Sequence, residues 1–338
     1  MDPLSHAALG RTLLACRNDG PHTRALVLTA GLGALSPDVD AVVMPFGWDL
    51  YLRVHEIGTH TIAGTLACAL LTASIVRVFA RAHTWRGLVG VAWIGAASHI
   101  ALDLLSSARI RLLWPFVNRQ VGVPLVAMAD PWLAAILIVG AGALVFTRRH
   151  KKRAGRLVVA CAVTFLLLKG VMATRALTAY AAAAGADDSA ARIMEATWAT
   201  LTEWRVFDRV GGEVRVWRAN GALPAAELLL TWPIAPESPR IQASRELAAV
   251  RNFHHVHDLA FAATVKAAGG REWVLWSDIR YCWNPDARDA RQVDPVVATA
   301  AARLSCGLWV GGEFDPRGRA LQQVVKIGGF LQERAVGE

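Results

Sequence analysis

Charge is what this sequence has least of. Only 19% of its 338 residues are Asp, Glu, Lys or Arg, against roughly 25% in ordinary soluble domains. Hydrophobic residues make up 54% and mean hydropathy is +0.35, which excludes a wholly soluble protein. Acids are scarcest early: residues 1–180 hold 8 Asp and Glu beside 18 Lys and Arg, whereas residues 181–338 hold 19 beside 18. The net charge of +9 therefore belongs to the apolar half, where bases flank hydrophobic segments, and no nucleic-acid partner is expected. Gly-x-Ser-x-Gly, a P-loop and a Walker lysine are all missing, so a serine nucleophile and a nucleotide cradle have no local support. Met1-Asp2-Pro3 offers no basic n-region, and His6 and Arg11 interrupt the first apolar piece, so no cleavable leader is expected. There is no internal repeat and no low-complexity linker.

What is present are long apolar runs. Four stretches, about 61–80, 87–107, 124–147 and 157–176, are long enough to cross a bilayer. Two shorter pieces, 4–16 and 25–37, read as short or tilted helices. The Ala-rich run 181–191, ending in Asp187-Asp188, reads as a helix leaving the membrane region. Three alternate loops carry Arg17 and Arg24, then Arg77, Arg81 and Arg86, then Arg148 through Arg156; together they hold 11 of the 18 bases of this half and one acid, Asp19. The positive-inside rule puts these loops in the cytoplasm, so the chain starts and ends outside. The expected architecture is an α-helical membrane domain of about six segments, two of them short, over 1–180, followed by a soluble α+β domain over 181–338. The expected location is a bacterial inner membrane, with the C-terminal domain extracytoplasmic.

In that second half, 204–218, 226–232, 259–267, 272–281 and 305–314 are rich in Val, Leu, Trp and Phe, separated by Gly211-Gly212, Asn220-Gly221 and Gly269-Gly270. Residues 287–303 show roughly helical spacing. Of five cysteines only Cys282 and Cys306 lie in this half, where topology permits oxidation. A bridge between them is expected, with two buried thiols as the alternative. Trp204, Trp217, Trp232, Trp273, Trp276, Trp283 and Trp309 read as core or interface residues. His254, His255 and His257 form a tight cluster, but adjacent side chains diverge in any regular element, which argues against a shared metal site.

Acids and histidines inside apolar segments are functional by default. Here they are His6, Asp38, Asp40, His55, His60, His99 and Asp103, and the topology drawn from Lys and Arg alone places all seven toward one side of the bilayer. His99 and Asp103 are i and i+4, so they share a helix face. Pro37 should break the preceding helix and leave Asp38 and Asp40 in a turn. Gly58 lets the chain bend between His55 and His60. Imidazole plus carboxylate suits zinc or another divalent ion.

Met1-Asp2-Pro3-Leu4-Ser5-His6 with Gly10, Ser36-Pro37-Asp38-Val39-Asp40, His55 through Thr61, Ser98-His99-Ile100-Ala101-Leu102-Asp103 and Leu113-Trp114-Pro115-Phe116 resemble the YdjM-type membrane-bound metal-dependent hydrolases. The resemblance covers roughly residues 1–135; Glu56-Ile57-Gly58-Thr59-His60 departs from the family's usual Arg-Gly-x-Thr-His. That family is distantly similar to zinc-dependent phospholipase C and P1-type nucleases, whose helical His-x-x-x-Asp/Glu pair His99 and Asp103 match. The resemblance implies a zinc-type ion or ions held by His6, Asp38, His55, His60, His99 and Asp103, with Asp38 or Asp40 taking a proton from water, and hydrolysis of a phosphoester or phospholipid. The partners expected are membrane lipid and a lipid-borne or extracytoplasmic substrate. Arg109, Arg111, Asn118 and Arg119 either bind an anionic group of that substrate or anchor the helix end at headgroups. Asp130, before Pro131, reads as a helix N-cap rather than a ligand. The competing function is a non-catalytic membrane protein with a structural metal and a partner-binding outer domain; an open coordination position separates the two.

Overall fold

The computed structural model describes residues 1–17, 23–55, 57–147, 149–185, 192–234, 237–283, 305–327 and 330–336. The expected helix at 287–303 and the pair Asp187-Asp188 lie outside them, as do Arg148 and Glu56.

The first half is helical: α1 (Pro3–Ala15), α2 (Arg24–Leu35), α3 (Trp48–Val54), α4 (Ile62–Phe79), α5 (Trp85–Leu105), α6 (Pro131–Phe146) and α7 (Lys151–Ala184). Starts are capped by side chains: Asp2, Thr23, Thr61, Thr84 and Asp130 each accept from a first-turn amide. Asp130 Oδ1 takes both Trp132 N and Leu133 N at 3.0 Å, so the N-cap expectation holds. Four helical stretches are long and apolar enough to cross a membrane: Arg24–Phe46, Ile62–Phe79, Trp85–Leu105 and Lys151–Ala184.

Two boundaries differ from expectation. The segment expected at 124–147 is helical only from Pro131 and is 16 residues long. The chain before it, 106–130, is an irregular loop tied by bridges Ser106 to Val126 and Ile110 to Val121. The piece expected to end at residue 37 runs on as a 3-10 helix, Ser36–Phe46. Pro37 ends the α-helix as expected, but the tighter winding keeps the chain turning instead of opening into a single turn.

The helices meet through small residues. A Cβ on Gly33 would stand 2.5 Å from the Ala92 carbonyl oxygen, and one on Gly95 2.5 Å from that of Ala30. Glycine is required at both because α2 and α5 touch backbone to backbone.

The second half is antiparallel β with two short helices. Strands β1 (Arg192–Ala196), β2 (Glu203–Val210), β3 (Glu213–Asn220) and β4 (Ala225–Pro233) form one sheet in that order. The run expected as one strand at 204–218 is split, because Gly211 and Gly212 take φ of 58° and 86° and turn the chain between Val210 and its partner Glu213. At the next turn Asn220 Oδ1 accepts from Ala222 N and Leu223 N at 2.9 and 3.1 Å.

The second sheet has the order β11-β10-β9-β6-β5, from β5 (Ala260–Lys266), β6 (Glu272–Asp278), β9 (Leu308–Phe314), β10 (Ala320–Ile327) and β11 (Phe330–Ala335). Phe207, Val214 and Val216 of the first sheet pack on Phe261, Leu275 and Trp309 of the second. The far face of the second sheet is covered by α8 (Pro239–Ser244) and α9 (Ala248–His254) through Ile241, Val250 and Phe253. The outer face of the first sheet lies on the last turns of α7, with Trp204 and Trp217 against Ala176 and Tyr180.

Further polar contacts dock the two halves. Asp49 of α3 accepts from Asn252 Nδ2 at 2.8 Å and pairs with Arg334 at 2.6 Å. Trp204 Nε1 donates to the Pro124 carbonyl at 2.9 Å. Lys169, 2% exposed within α7, donates to the Thr200 carbonyl at 3.2 Å.

Short strands β7 (Cys282–Trp283) and β8 (Ser305–Cys306) pair Cys282 opposite Cys306, and the two are disulfide-bonded with Cα atoms 3.8 Å apart. The expected bridge is present, while Cys16, Cys68 and Cys161 are free. Replacing both bridged cysteines by Ser should destabilise the outer domain by about 3 kcal/mol in the chain-entropy model, read as a lowered denaturation midpoint against the parent.

Candidate metal centre

All seven polar residues singled out from the sequence meet. His6 comes from α1, Asp38 and Asp40 from the 3-10 run, His55 and His60 from the turn between α3 and α4, and His99 and Asp103 from α5. They form three overlapping groups, His6–Asp38–His99, His60–His99–Asp103 and Asp38–Asp40–His55, with ligand atoms within 4.8 Å of one another in each.

Four atoms define the centre. His60 Nε2 lies 3.2 Å from His99 Nε2, 3.5 Å from Asp38 Oδ1 and 3.5 Å from Asp103 Oδ2. His99 Nε2 lies 3.4 Å from Asp38 Oδ1 and 2.9 Å from Asp103 Oδ2. Four ligands around a tetrahedral zinc, each about 2.0–2.2 Å from it, stand about 3.3 Å apart. The five distances, 2.9 to 3.5 Å, lie near that spacing, and a donor set of two imidazole nitrogens and two carboxylate oxygens fits the ion. The Met1 amino group lies against Asp103 Oδ1, where a positive charge is called for.

The imidazoles are oriented from behind. His99 Nδ1 is 2.7 Å from the Ala34 carbonyl oxygen. A carbonyl can only accept, so Nδ1 carries the proton and Nε2 is left as a lone pair. Thr59 Oγ1 donates to Asp40 Oδ2 at 3.0 Å and so accepts from His60 Nδ1 at 3.0 Å, fixing the same tautomer at His60. Asp40 Oδ1 is 3.0 Å from His55 Nδ1. Asp40 thus sits behind two histidines rather than among the four converging atoms. His6 stacks on His99 with ring centroids 3.7 Å apart, and its Nε2 is 3.4 Å from Asp103 Oδ1. Both His6 nitrogens lack a hydrogen bond although the ring is fully buried, which fits a ligand waiting on a cation.

Next to this cluster is a cavity of about 440 Å³ between the two halves. Trp48, Tyr51 and His55 line it from below and His257, Arg280 and Tyr281 from the outer domain. His257 Nδ1 is 3.3 Å from Asp278 Oδ2, and Arg280 bonds both Asp278 oxygens at 2.9 and 2.7 Å. Burial would raise the Asp278 carboxyl, but the Arg280 charge and the bonds from His257 and Arg280 outweigh it and hold it well below the usual carboxylate range. Burial pushes His257 below its ordinary value despite the pull of Asp278.

The four residues expected to meet an anionic group, Arg109, Arg111, Asn118 and Arg119, line one pocket of about 590 Å³. Asn118 and Arg119 are exposed. Arg109 pairs with Asp258 at 3.0 Å, and Arg111, 7% exposed, donates to the His255 carbonyl at 2.6 Å. These two arginines therefore reach the second half of the chain. The His254, His255 and His257 cluster joins no metal group among the described residues.

Thr59 and the Ala34 carbonyl escaped the sequence reading, although Thr59 lies inside the His55–Thr61 motif. Asp278 and Arg280 left no recognisable spacing. His99→Ala and Asp103→Ala should each deplete bound metal, measured on the purified protein, without melting the disulfide-bonded outer domain; unchanged metal in both would remove the assignment.

Neither a curated protein nor a solved structure matches the chain. The family model described as YdjM inner membrane protein matches residues 1–176, the stretch that carries α1 through most of α7 and every residue of the centre. That match spans more than half of the chain, and the chain belongs to the YdjM inner membrane protein family.

Proposed function

We propose that this protein is a membrane-embedded, metal-dependent hydrolase acting at the outer membrane–water interface on a phosphoester or phospholipid. The observation that carries the reading is the convergence of Asp38 and Asp103 on the paired Nε2 atoms of His60 and His99 beside a cavity. Asp38 retains 31% side-chain exposure and His55 22%, so one edge of the cluster is accessible to solvent and to a substrate in the cavity. The donor set favours zinc.

A divalent ion held by these four residues, with His6 alongside, supplies Lewis acidity and brings the pKa of water to about 7. The chain's own groups do the rest. Ala34 and Thr59 hold the two Nε2 lone pairs toward the centre. Asp40 accepts from His55 Nδ1–H, so His55 Nε2 is the basic nitrogen of the ring and can take and return a proton at the cavity wall. Asp38–Asp40–His55 can alternatively hold a second ion; the position of His55 in the cavity lining favours proton transfer. Trp48 and Tyr51 line the same wall.

The basic loops place 148–156 in the cytoplasm and the second half outside, and the Cys282–Cys306 bridge supports that orientation, since such bonds persist in oxidising compartments. Reporter fusions at Lys152 and after residue 336 should give opposite compartments; agreement between them would overturn the outward site. His55→Gln should keep bound metal yet lower turnover of a chromogenic phosphodiester or short-chain phospholipid by about 10²-fold or more. Asp103→Asn should lose both metal and turnover. A fully loaded parent that hydrolyses neither substrate class would leave the ion structural.

A further inference from the structure

The outer domain carries a second pocket that the hydrolase reading does not use. It encloses about 530 Å³ and is lined by Arg209, Arg245, Arg251, His254, Asp258 and Trp276, among others. Arg209 leaves β2 and Arg251 lies on α9; both are exposed, and neither has an ion-pair or side-chain hydrogen-bond partner among the described residues. Arg245 lies 5.1 Å over the Trp276 ring and pairs with Glu237. The His254 ring meets Trp276 edge-on at 4.4 Å, and its buried Nε2 has no partner. Asp258 is the only acid in the lining, and its carboxylate is taken by Arg109 at 3.0 Å.

Two unpaired guanidinium groups, Arg209 and Arg251, with Arg245 held by Glu237 and Asp258 held by Arg109, leave a net positive field and an orphaned imidazole nitrogen. Burial, Arg245, His257 and Arg209 together push His254 down to about 4. The ring is therefore neutral at pH 7 and can donate or accept without adding charge. Oriented guanidiniums beside a neutral donor suit a tetrahedral oxyanion, for which bidentate N–H···O pairs give both strength and geometry. The pocket shares lining residues with its two neighbours. Asp258 borders the pocket of Arg109 and Arg119, and His257 borders the cavity over the metal centre.

We propose that this pocket binds a phosphate group, so that the outer domain reads a phosphate of the ligand apart from the bond cleaved at the metal centre. Such a group can arrive on a soluble ester or on a lipid headgroup, and the recognising chemistry is the same.

The test uses the full chain in phosphatidylcholine nanodiscs after chelator treatment, so that binding is read independently of metal and turnover. Inorganic phosphate is titrated in one arm, and nanodiscs doped with phosphatidic acid replace it in the other, with Trp fluorescence as readout. Saturable binding of free phosphate supports a soluble ester; a response to phosphatidic acid alone supports a lipid headgroup. In either case Arg209→Gln with Arg251→Gln should weaken binding about tenfold or more, two charge-assisted contacts being lost. Arg209→Lys with Arg251→Lys should recover part of it. Both positions are exposed and partnerless, so the variants keep the fold, checked by their melting curves. Binding unchanged in the Gln pair, or absent in both arms, overturns the proposal. Tighter binding of a single-stranded oligonucleotide than of either phosphate probe overturns it in favour of nucleic acid. Phosphate binding retained in a protein without hydrolytic activity would fail the hydrolase reading and leave the pocket standing.

Discussion

The close approach of α2 and α5 is the constraint on which the centre depends. Gly33 and Gly95 leave no room for a Cβ between the two backbones, and that contact brings the Ala34 carbonyl to 2.7 Å from His99 Nδ1. A helix end normally offers free carbonyls to solvent or a cap; here one is spent on fixing the tautomer of a ligand. The same register sets Asp103, one turn further along α5, beside His60 and His6. The 3-10 run that continues α2 then delivers Asp38 to the Nε2 atoms of His60 and His99. Three elements thus converge because two helices can touch, and the metal ligands need no long loop to bring them together.

Most of this centre was legible in the sequence because membranes make polar residues costly. Seven acids and histidines in apolar segments, all on one side of a topology drawn only from Lys and Arg, had few readings other than a shared site. Their mutual geometry was less legible. His99 and Asp103 followed from i,i+4 spacing, but the roles of Asp38 and Asp40 did not. Both lie in one short motif, and only the 3-10 winding shows that Asp38 faces the Nε2 pair while Asp40 stands behind His55 and Thr59. Hydrogen bonds to main-chain carbonyls leave no trace in side-chain identity, so Ala34 could not be read at all.

The outer domain was legible in class but not in detail. Runs of Val, Trp and Phe bounded by Gly-Gly and Asn-Gly marked the central strands. By contrast β10 and β11 carry Gln322, Gln323, Lys326, Gln332, Glu333 and Arg334. β11 is the edge of its sheet and β10 the strand beside it, where polar residues are tolerated and discourage further pairing. A hydrophobic pattern cannot find such strands. The shortened α6 has a related cause: Pro124, Leu125 and Val126 are as apolar as a helix interior, yet the Trp204 bond to the Pro124 carbonyl and the bridge from Val126 to Ser106 hold that stretch extended.

That stretch also explains why the two halves act as one structure. The second half covers the end of the helical half at which the His/Asp cluster lies, with a cavity left between them. It rests on α7, which at 34 residues is about 51 Å long, some 20 Å more than the hydrocarbon core requires. Its last turns become the floor of the first sheet, while α3, a few residues before His55, is clamped to α9 and β11 through Asp49, Asn252 and Arg334. The cavity lies between these two attachments. Moving the outer domain must therefore displace either α7 or the helix that leads into His55. The α3 end of that attachment is specific: Arg53 and Asp49 both bond Asn252, on the helix that also carries Arg251 into the cationic pocket.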